Sequence, residues 1–460
     1  MIASLYQLFL QHPLVTTDSR NCPPGSIFFA LKGERFDGNR FAADTLAQGC
    51  SLAVVDDPAV IPLVNGVSDP RYFLVPDVLK ALQDLAAYHR QQFRQWHSPV
   101  TVIGITGTNG KTTTKELLNA VLSQKYNVLA TAGNLNNQIG VPLTLLKVTQ
   151  QHQIAIIEMG ANHPMDIADL CAIARPDFGL ITNVGKAHLL GFGSLEGVVA
   201  AKTKLYDSLR LTGGKAFVDA GNPHLMPHTQ GLDTVLYSDS TVNDTTPVNG
   251  SFVQSAPYLT MQLSIGGTSL QVNTHLIGNY NIINIIAAAS VGSYFGVTPH
   301  SIRTAVEGYM PQNMRSQLID LGMGRQVILD AYNANPTSML AALRSFNQNT
   351  AQHKSLILGD MRELGPESQR EHLAILHYLM QPDVTLGDVL LVGPEFVAAF
   401  NSLTDPEVMQ LSQSRSVRCY SSVEALVTDT PALAHLPGTI LIKGSRGIRL
   451  ELAAQQLQNL

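Results

Sequence analysis

A β-branched run, a glycine turn and a helix start follow one another without a break, and they constrain this chain more than any other feature. Residues 100–114 read VTVIGITGTNGKTTT. The run from Val100 to Thr106 suits a buried strand, and the residues from Lys111 to about Ser123 suit a helix. Glycines in the turn let backbone amides point at an anion, and the helix N-terminus adds donors and the positive end of a dipole. Lys111 has the reach for β- and γ-phosphates, and the Thr112 hydroxyl is a Mg²⁺ ligand type. Gly107, Thr108, Asn109, Gly110, Lys111, Thr112 and Thr113 are therefore the candidate phosphate-binding residues. The strict P-loop spacing places glycine where Ile105 stands, with Gly104 one position off, so this is a variant of that loop. A strand–loop–helix unit of this kind belongs to a parallel sheet covered by helices on both faces.

The rest of the chain repeats the pattern. Its 460 residues accommodate roughly three domains at about 150 residues each. SIFFALKG, SLAVVDD and YFLVP are strand candidates in residues 1–98, and Asp77–Gln95 has helical apolar spacing. Residues 99–312 add QIAIIEMG and FGLITNVG, then a strand-rich insert near Ser251–His275. Residues 313–460 add QVILDAY, KSLILGD, DVLLVG and TILIKG, with helices expected over Pro336–Asn347 and Glu367–Leu379. The expected class is α/β with three domains. A central P-loop domain carries a doubly wound parallel sheet, a Rossmann-like domain follows, and a smaller α/β domain precedes.

Composition removes several functions. Thirty Lys and Arg against 35 Asp and Glu give a net charge of −5, which argues against nucleic acid as a partner. Cys22, Cys50, Cys171 and Cys419 form no CxxC pair, so reduced thiols are expected rather than disulfides or structural zinc. No apolar run is long enough for a membrane span, and the N-terminus lacks a basic, cleavable leader. A soluble cytoplasmic protein is expected. Nothing demands an oligomer, and a monomer is expected.

Other polar residues follow strand ends, where doubly wound sheets bind ligands. Glu158 closes QIAIIEMG and is a candidate Mg²⁺ ligand. His188 follows the next strand and reads more readily as a polar loop histidine than as a ligand. Lys202, by its spacing alone, reads as a solvated helix lysine. Asn134, Asn136 and Asn137 lie in an amide-rich loop able to hydrogen-bond a carbonyl-rich substrate, or simply to turn the chain. Tyr280, Asn281 and Asn284 open a helix with the same two readings. Asp330 and Asn333 follow QVILD, and Arg446 lies in the KGSRG edge of a later strand. Arg315 and Arg446 are candidate contacts to phosphate or to a substrate carboxylate. The nucleotide classes left open are a GTPase switch, a kinase and an ATP-driven ligase. No NKxD guanine signature and no HRD catalytic loop is present.

GITGTNGKTTT, EMGANHPMDI, ITNVGKAHLLGFGS, DAYNANPTSM, LGDMRELG and LIKGSRG, in that order, resemble the Mur ligases. The last three are similar to the branch of that family that adds D-alanyl-D-alanine to UDP-N-acetylmuramoyl-tripeptide. Asp18-Ser19-Arg20 and FFALKGERFDGNRFAADTLAQG fit the family's UDP-binding domain. The resemblance implies that the first domain holds the UDP-sugar substrate, with Ser19 among its contacts. The central domain would hold ATP, and the last domain the incoming dipeptide.

Lys111, Glu158, His188 and Lys202 would be catalytic. Thr112, Glu158, His188 and Lys202 would hold Mg²⁺, two ions in all, with Lys202 carbamylated into an oxygen-bearing anion. Tyr280, Asn281, Asn284, Arg315, Asp330 and Asn333 would complete the nucleotide site, and Asn134, Asn136, Asn137 and Arg446 would contact substrate. Two positions depart from the family pattern: Lys204 stands where an acidic residue is common, and Tyr280 where a histidine is expected. The implied chemistry phosphorylates a carboxylate with ATP and lets an amine displace the phosphate. The alternatives are a sister ligase that adds a single amino acid, such as a folylpolyglutamate synthase, and a P-loop binding protein or switch without ligase activity.

Overall fold

Continuous apolar runs fold into strands buried on both faces, and these form the centres of three sheets. The computed structural model describes residues 1–241, 245–255, 257–312, 314–413 and 415–460. Residue 313, the expected first residue of the third domain, lies outside the described residues. The N-terminal sheet has four parallel strands, in the order Val15–Thr16, Ile27–Phe29, Leu52–Val55 and Tyr72–Leu74.

The central sheet has nine strands. Their order is Val128–Ala130, Ile154–Glu158, Thr101–Thr106, Phe178–Ile181, Lys215–Asp219, Asp233–Asp239, Val248–Ser255, Leu259–Ile265 and Thr268–Asn273. Thr101–Thr106 is flanked on one side by Ile154–Glu158, with Glu158 opposite Ile105, and on the other by Phe178–Ile181, with Ile181 opposite Thr106. The chain reverses its direction of travel across the sheet at this strand. That creates the crevice where an open α/β sheet receives ligands.

The third sheet has the order Gln317–Gly322, Arg325–Asp330, Thr439–Lys443, Lys354–Gly359, Val389–Val392 and Val417–Tyr420. Lys443 pairs in register with Asp330 on one side and Leu358 on the other. The polar clusters after these three strands therefore share one edge.

The expected three-domain α/β fold is present, and antiparallel strands extend its parallel sheets. The last two strands of the central sheet are antiparallel additions, and Gln317–Gly322 runs antiparallel to Arg325–Asp330. Gly266 and Gly267, both at positive φ, supply the two-residue turn that such a hairpin needs. The strands Lys215–Asp219, Asp233–Asp239 and Gln317–Gly322 are additions to those expected. Among the described residues no helix is long and apolar enough to cross a membrane.

Helix Val78–Gln92, capped by the Asp77 side chain on Lys80 N–H, joins the N-terminal sheet to the central one. Its apolar face shares a core with Val141, Leu145, Ile167 and Leu170 of the central domain. Arg90 is buried, and its guanidinium donates to Ala174 O at 2.9 Å, Arg175 O at 2.7 Å and Asp177 Oδ2 at 2.8 Å. Asp177 Oδ2 also accepts Val102 N–H at 2.8 Å, at the start of the P-loop strand. Removing the guanidinium would take the donor from two carbonyls and leave Asp177 with only Arg94 and Val102 N–H among the described residues. Arg90→Met is therefore expected to destabilise the fold by about 3 kcal/mol, read as a lowered urea midpoint. An unchanged midpoint would contradict this account of the joint.

Candidate functional site

The loop after Thr101–Thr106 has the conformation that its glycines allow. Gly107 sits at φ +147° and Gly110 at φ +77°. A Cβ on Gly107 would lie 2.0 Å from Thr182 Oγ1, and one on Gly110 would lie 2.6 Å from Asn284 Oδ1. The loop is fixed from outside as well. Asn183 accepts Thr108 N–H on its backbone oxygen and Asn109 N–H on its side-chain oxygen, both at 2.9 Å. Thr182 Oγ1 donates to Asn109 O at 2.6 Å. Lys111 opens helix Lys111–Leu122 and its Nζ donates to Gly107 O at 2.8 Å and Thr108 O at 3.2 Å. Burial lowers the Lys111 pKa, the Glu158 carboxylate opposes that shift, and Arg315 adds to it.

Glu158 is almost fully buried beside this loop. Its Oε1 accepts from Thr112 Oγ1 at 3.2 Å and from Asn136 Nδ2 at 2.8 Å. Its Oε2 is buried without a hydrogen-bond partner among the described residues. Leaving a carboxylate oxygen buried and unpaired is costly, so this atom marks a cation position. The hydroxyl of Thr112 and the carboxylate of Glu158 are hard oxygen donors of the kind Mg²⁺ takes. Among the described residues no three His, Cys, Asp or Glu side chains gather as a metal cage. Mg²⁺ is commonly held by one or two carboxylates together with substrate phosphates, so the residues present fit that ion.

His188 and Lys202 approach from the other side. His188 adopts a left-handed backbone (φ +49°), and its Nδ1 pairs with the Glu363 carboxylate of the third domain. Burial lowers the His188 pKa; Glu363 opposes this, while Lys111 and Lys202 push the same way as burial. Lys202 is buried at the end of helix Leu195–Lys202, with Nζ 5.9 Å from the Phe192 ring centre. It is not the solvated lysine that its spacing suggested. Burial drives its pKa well below the usual value, Lys111 adds to that, and Asp166 opposes it. The neutral amine is thereby favoured.

Lys111, Glu158 and His188 border a cleft of about 610 Å³ between the central and third domains. Thr108 to Thr113, Glu158, His188, Asn134, Asn136, Asn137, Tyr280, Asn281, Asn284, Arg315, Asp330 and Asn333 line it. Gly107, Lys202, Ser19 and Arg446 do not. Ser19 lies in the N-terminal domain, where its carbonyl accepts from Cys22 Sγ and Gln48 Nε2.

Several lining residues are already engaged. Asn137 Oδ1 caps Gly140 N–H at 2.9 Å, and Asn281 bridges Ile277 O and the Asn284 amide. Tyr280 shares a hydrogen bond with Ser316 Oγ at 2.9 Å. Asp330 pairs with Lys443 Nζ at 2.5 Å. Sequence reasoning left Asn183, Asn335, Tyr332 and Lys443 out of the site. Asn335 Nδ2 crosses the cleft to Asn109 Oδ1 at 2.8 Å. The Tyr332 ring has the Arg315 guanidinium at 4.0 Å and that of Arg446 at 5.2 Å. All four lie in strings already noted at strand ends, and that placement was the available signal.

The comparisons with known proteins agree with this geometry. Residues 105–292 match the family model of the Mur ligase middle domain. Residues 314–446 match the Mur ligase glutamate ligase domain, and residues 13–90 the Mur ligase family catalytic domain. The chain is 33% identical over 444 residues to the UDP-N-acetylmuramoyl-tripeptide–D-alanyl-D-alanine ligase of Bacillus subtilis (strain 168), a match covering 96% of this chain and 92% of that one. The chain is a Mur ligase.

Among solved structures, MurF from Acinetobacter baumannii superposes with a TM-score of 0.83 at 31% identity, over 97% of this Mur ligase and 93% of that chain. MurF ligase from Thermotoga maritima, solved in complex with ADP, superposes with a TM-score of 0.80 at 25% identity over 98% of both chains. In this Mur ligase Gly107→Ala would press a methyl group against Thr182, whose hydroxyl holds the loop. The variant is expected to bind ADP at least about tenfold more weakly by calorimetry, with an unchanged circular dichroism spectrum. Wild-type affinity would show that the loop tolerates the methyl and that its tight turn is not needed.

Proposed function

We propose that this Mur ligase joins D-alanyl-D-alanine to UDP-N-acetylmuramoyl-tripeptide, with ATP converted to ADP and phosphate. The observation that carries the reading is the pairing of a phosphate loop with a buried, half-satisfied carboxylate at the base of a cleft shared by two domains. Relatives that bear this activity in their names match almost end to end.

Each residue then has a task set by its surroundings. The amides of Gly110 to Thr113 and the Lys111 ammonium hold the triphosphate, while those of Thr108 and Asn109 are held by Asn183. Thr112, Glu158 and His188 would hold Mg²⁺, two ions being expected. When bound, Mg²⁺ neutralises charge on phosphoryl oxygens, which lets two anionic substrates meet. Lys202, whose pKa burial lowers, is set up to add carbon dioxide through its neutral amine. An N–C bond forms and a proton leaves, and the resulting carbamate is an anion suited to a cation or to orienting His188. Asn134 and Asn136 edge the cleft toward the tripeptide, and Asn137 can offer it an amide N–H. Tyr280, Asn281, Asn284, Asp330 and Asn333 flank the nucleotide.

The tripeptide carboxylate attacks the γ-phosphorus and ADP leaves. The dipeptide amine then attacks the acyl phosphate carbonyl, and phosphate departs with the C–O bond. Positioning alone accounts for roughly 7–11 kcal/mol in favourable reactions of this type, and the third domain supplies it while excluding water. Arg315, stacked on Tyr332 at the cleft wall, is placed to meet phosphoryl oxygens, and Arg446 the dipeptide carboxylate. Ser19 contacts the UDP moiety on the first domain. The chain works as a monomer in the cytoplasm on soluble nucleotide substrates.

The deciding assay is phosphate release from ATP. It should require both UDP-N-acetylmuramoyl-tripeptide and D-alanyl-D-alanine. Release with a single amino acid in place of the dipeptide would point to a sister ligase, and nucleotide binding without release would point to a switch. Lys111→Ala should abolish turnover with the fold intact. Lys202→Ala should be nearly inactive and partly rescued by formate or acetate. Full activity without rescue would contradict the carbamate.

A further inference from the structure

One short loop joins the phosphate site to the third domain. It leaves strand Phe178–Ile181, and its first residues grip the phosphate loop through Asn183, as described above. Gly185 continues the grip: its N–H donates to Thr108 Oγ1 at 3.1 Å, and the same hydroxyl donates to Gly185 O at 3.3 Å. The next residue turns outward. Lys186 N–H donates to Thr337 Oγ1 at 3.1 Å, and Lys186 Nζ donates to Glu371 Oε1 at 2.8 Å. Thr337 lies in the first turn of helix Pro336–Asn347, and Glu371 in helix Ser368–Leu379. The approach is close, for a Cβ on Gly185 would lie 2.8 Å from Thr337 Oγ1.

Exposed ion pairs contribute little, so the burial of the partners decides what this one does. Lys186 is half-exposed, but the Glu371 side chain is only 7% exposed. Its other cation is Arg370, at 3.3 Å, which is itself 66% exposed and shared with Glu367. Loss of Lys186 would leave a buried carboxylate with one solvent-exposed cation, itself shared with Glu367. That penalty falls on the docked arrangement of the two domains rather than on either domain alone. A displacement of the phosphate loop would travel from Thr108 through Gly185 to Lys186 within three residues of chain.

We propose that Lys186 and Glu371 are a positioning pair that docks the third domain against the nucleotide-filled phosphate loop, so that the amine arrives before water reaches the acyl phosphate. The inference rests on the ligase reading for its chemistry, but its mechanical part concerns only nucleotide and domain. Neither residue touches the reacting atoms. Both act through the placement of the third domain.

The test uses the full chain as Lys186→Met, Glu371→Gln and the reversed pair Lys186→Glu with Glu371→Lys. Each single variant is expected to raise the KM for D-alanyl-D-alanine about tenfold and to increase dipeptide-independent phosphate release. The KM for ATP should stay within about twofold, because the phosphate loop itself is unaltered. The reversed pair should recover most of the dipeptide KM. Small-angle scattering with ADP and magnesium should show a larger radius of gyration for the single variants than for wild type and the reversed pair. An unchanged dipeptide KM, equal changes in both KM values, or a reversed pair no better than the singles would overturn the proposal. So would variants as compact as wild type. If Glu371→Gln does not fold, Lys186→Met, altered at a half-exposed position, decides the matter. Scattering does not depend on the acceptor, so a wild type that closes yet shows no dipeptide-dependent phosphate release refutes the ligase reading and leaves the docking pair standing.

Discussion

The site depends on a carboxylate that the sheet forces to stand beside the phosphate loop. Parallel pairing sets Glu158 against Ile105, so the acid cannot drift from the turn that begins two residues later. Thr112 and Asn136 satisfy one of its oxygens, and the other is buried with no partner among the described residues. A protein built only for stability would have little reason to keep such an atom. The residue makes sense as half of a cation site whose other half arrives with the nucleotide.

The same economy runs through the rest of the cleft. Lys202 is buried, Lys111 lowers its pKa further, and both amines lower that of His188. Two amines near one histidine form an arrangement that added anions relieve, and triphosphate and carbamate are the anions that the proposed function supplies. The third domain closes the site through polar side chains, and among the described residues Ile277 and Tyr258 are the central-domain residues that pack into its apolar core. Asn335 reaches Asn109, Glu363 reaches His188, and Glu371 reaches Lys186. Polar contacts of this kind can form and release repeatedly. By contrast, the N-terminal domain is fastened to the central one by apolar packing and by the buried Arg90 guanidinium.

Much of this was legible in the residues, and the failures have physical reasons. The P-loop strand, its helix and the three strand-end clusters of the last domain were read from apolar runs and glycine turns, because parallel strands buried on both faces carry strong local signals. Strands Lys215–Asp219 and Asp233–Asp239 were missed because each holds a run of only three apolar residues between polar ends. Lys202 was misread by spacing alone: its helix is short, and the burial of its amine comes from Phe192 and the P-loop side of the site, which no local pattern encodes. Asn137 and Asn281 were found as polar residues of the cleft, but their capping and bridging bonds depend on neighbours that only the fold brings near. The roles of Asn183, Asn335, Tyr332 and Lys443 are set across strands and domains in the same way.

The most direct measurement is a crystal structure of the chain with a non-hydrolysable ATP analogue and magnesium. The account predicts the γ-phosphate against Lys111 and the amides of residues 110–113, with a metal ion on the Glu158 oxygen that has no partner among the described residues. A nucleotide bound elsewhere, or a filled phosphate loop with Glu158 bearing no metal, would contradict it.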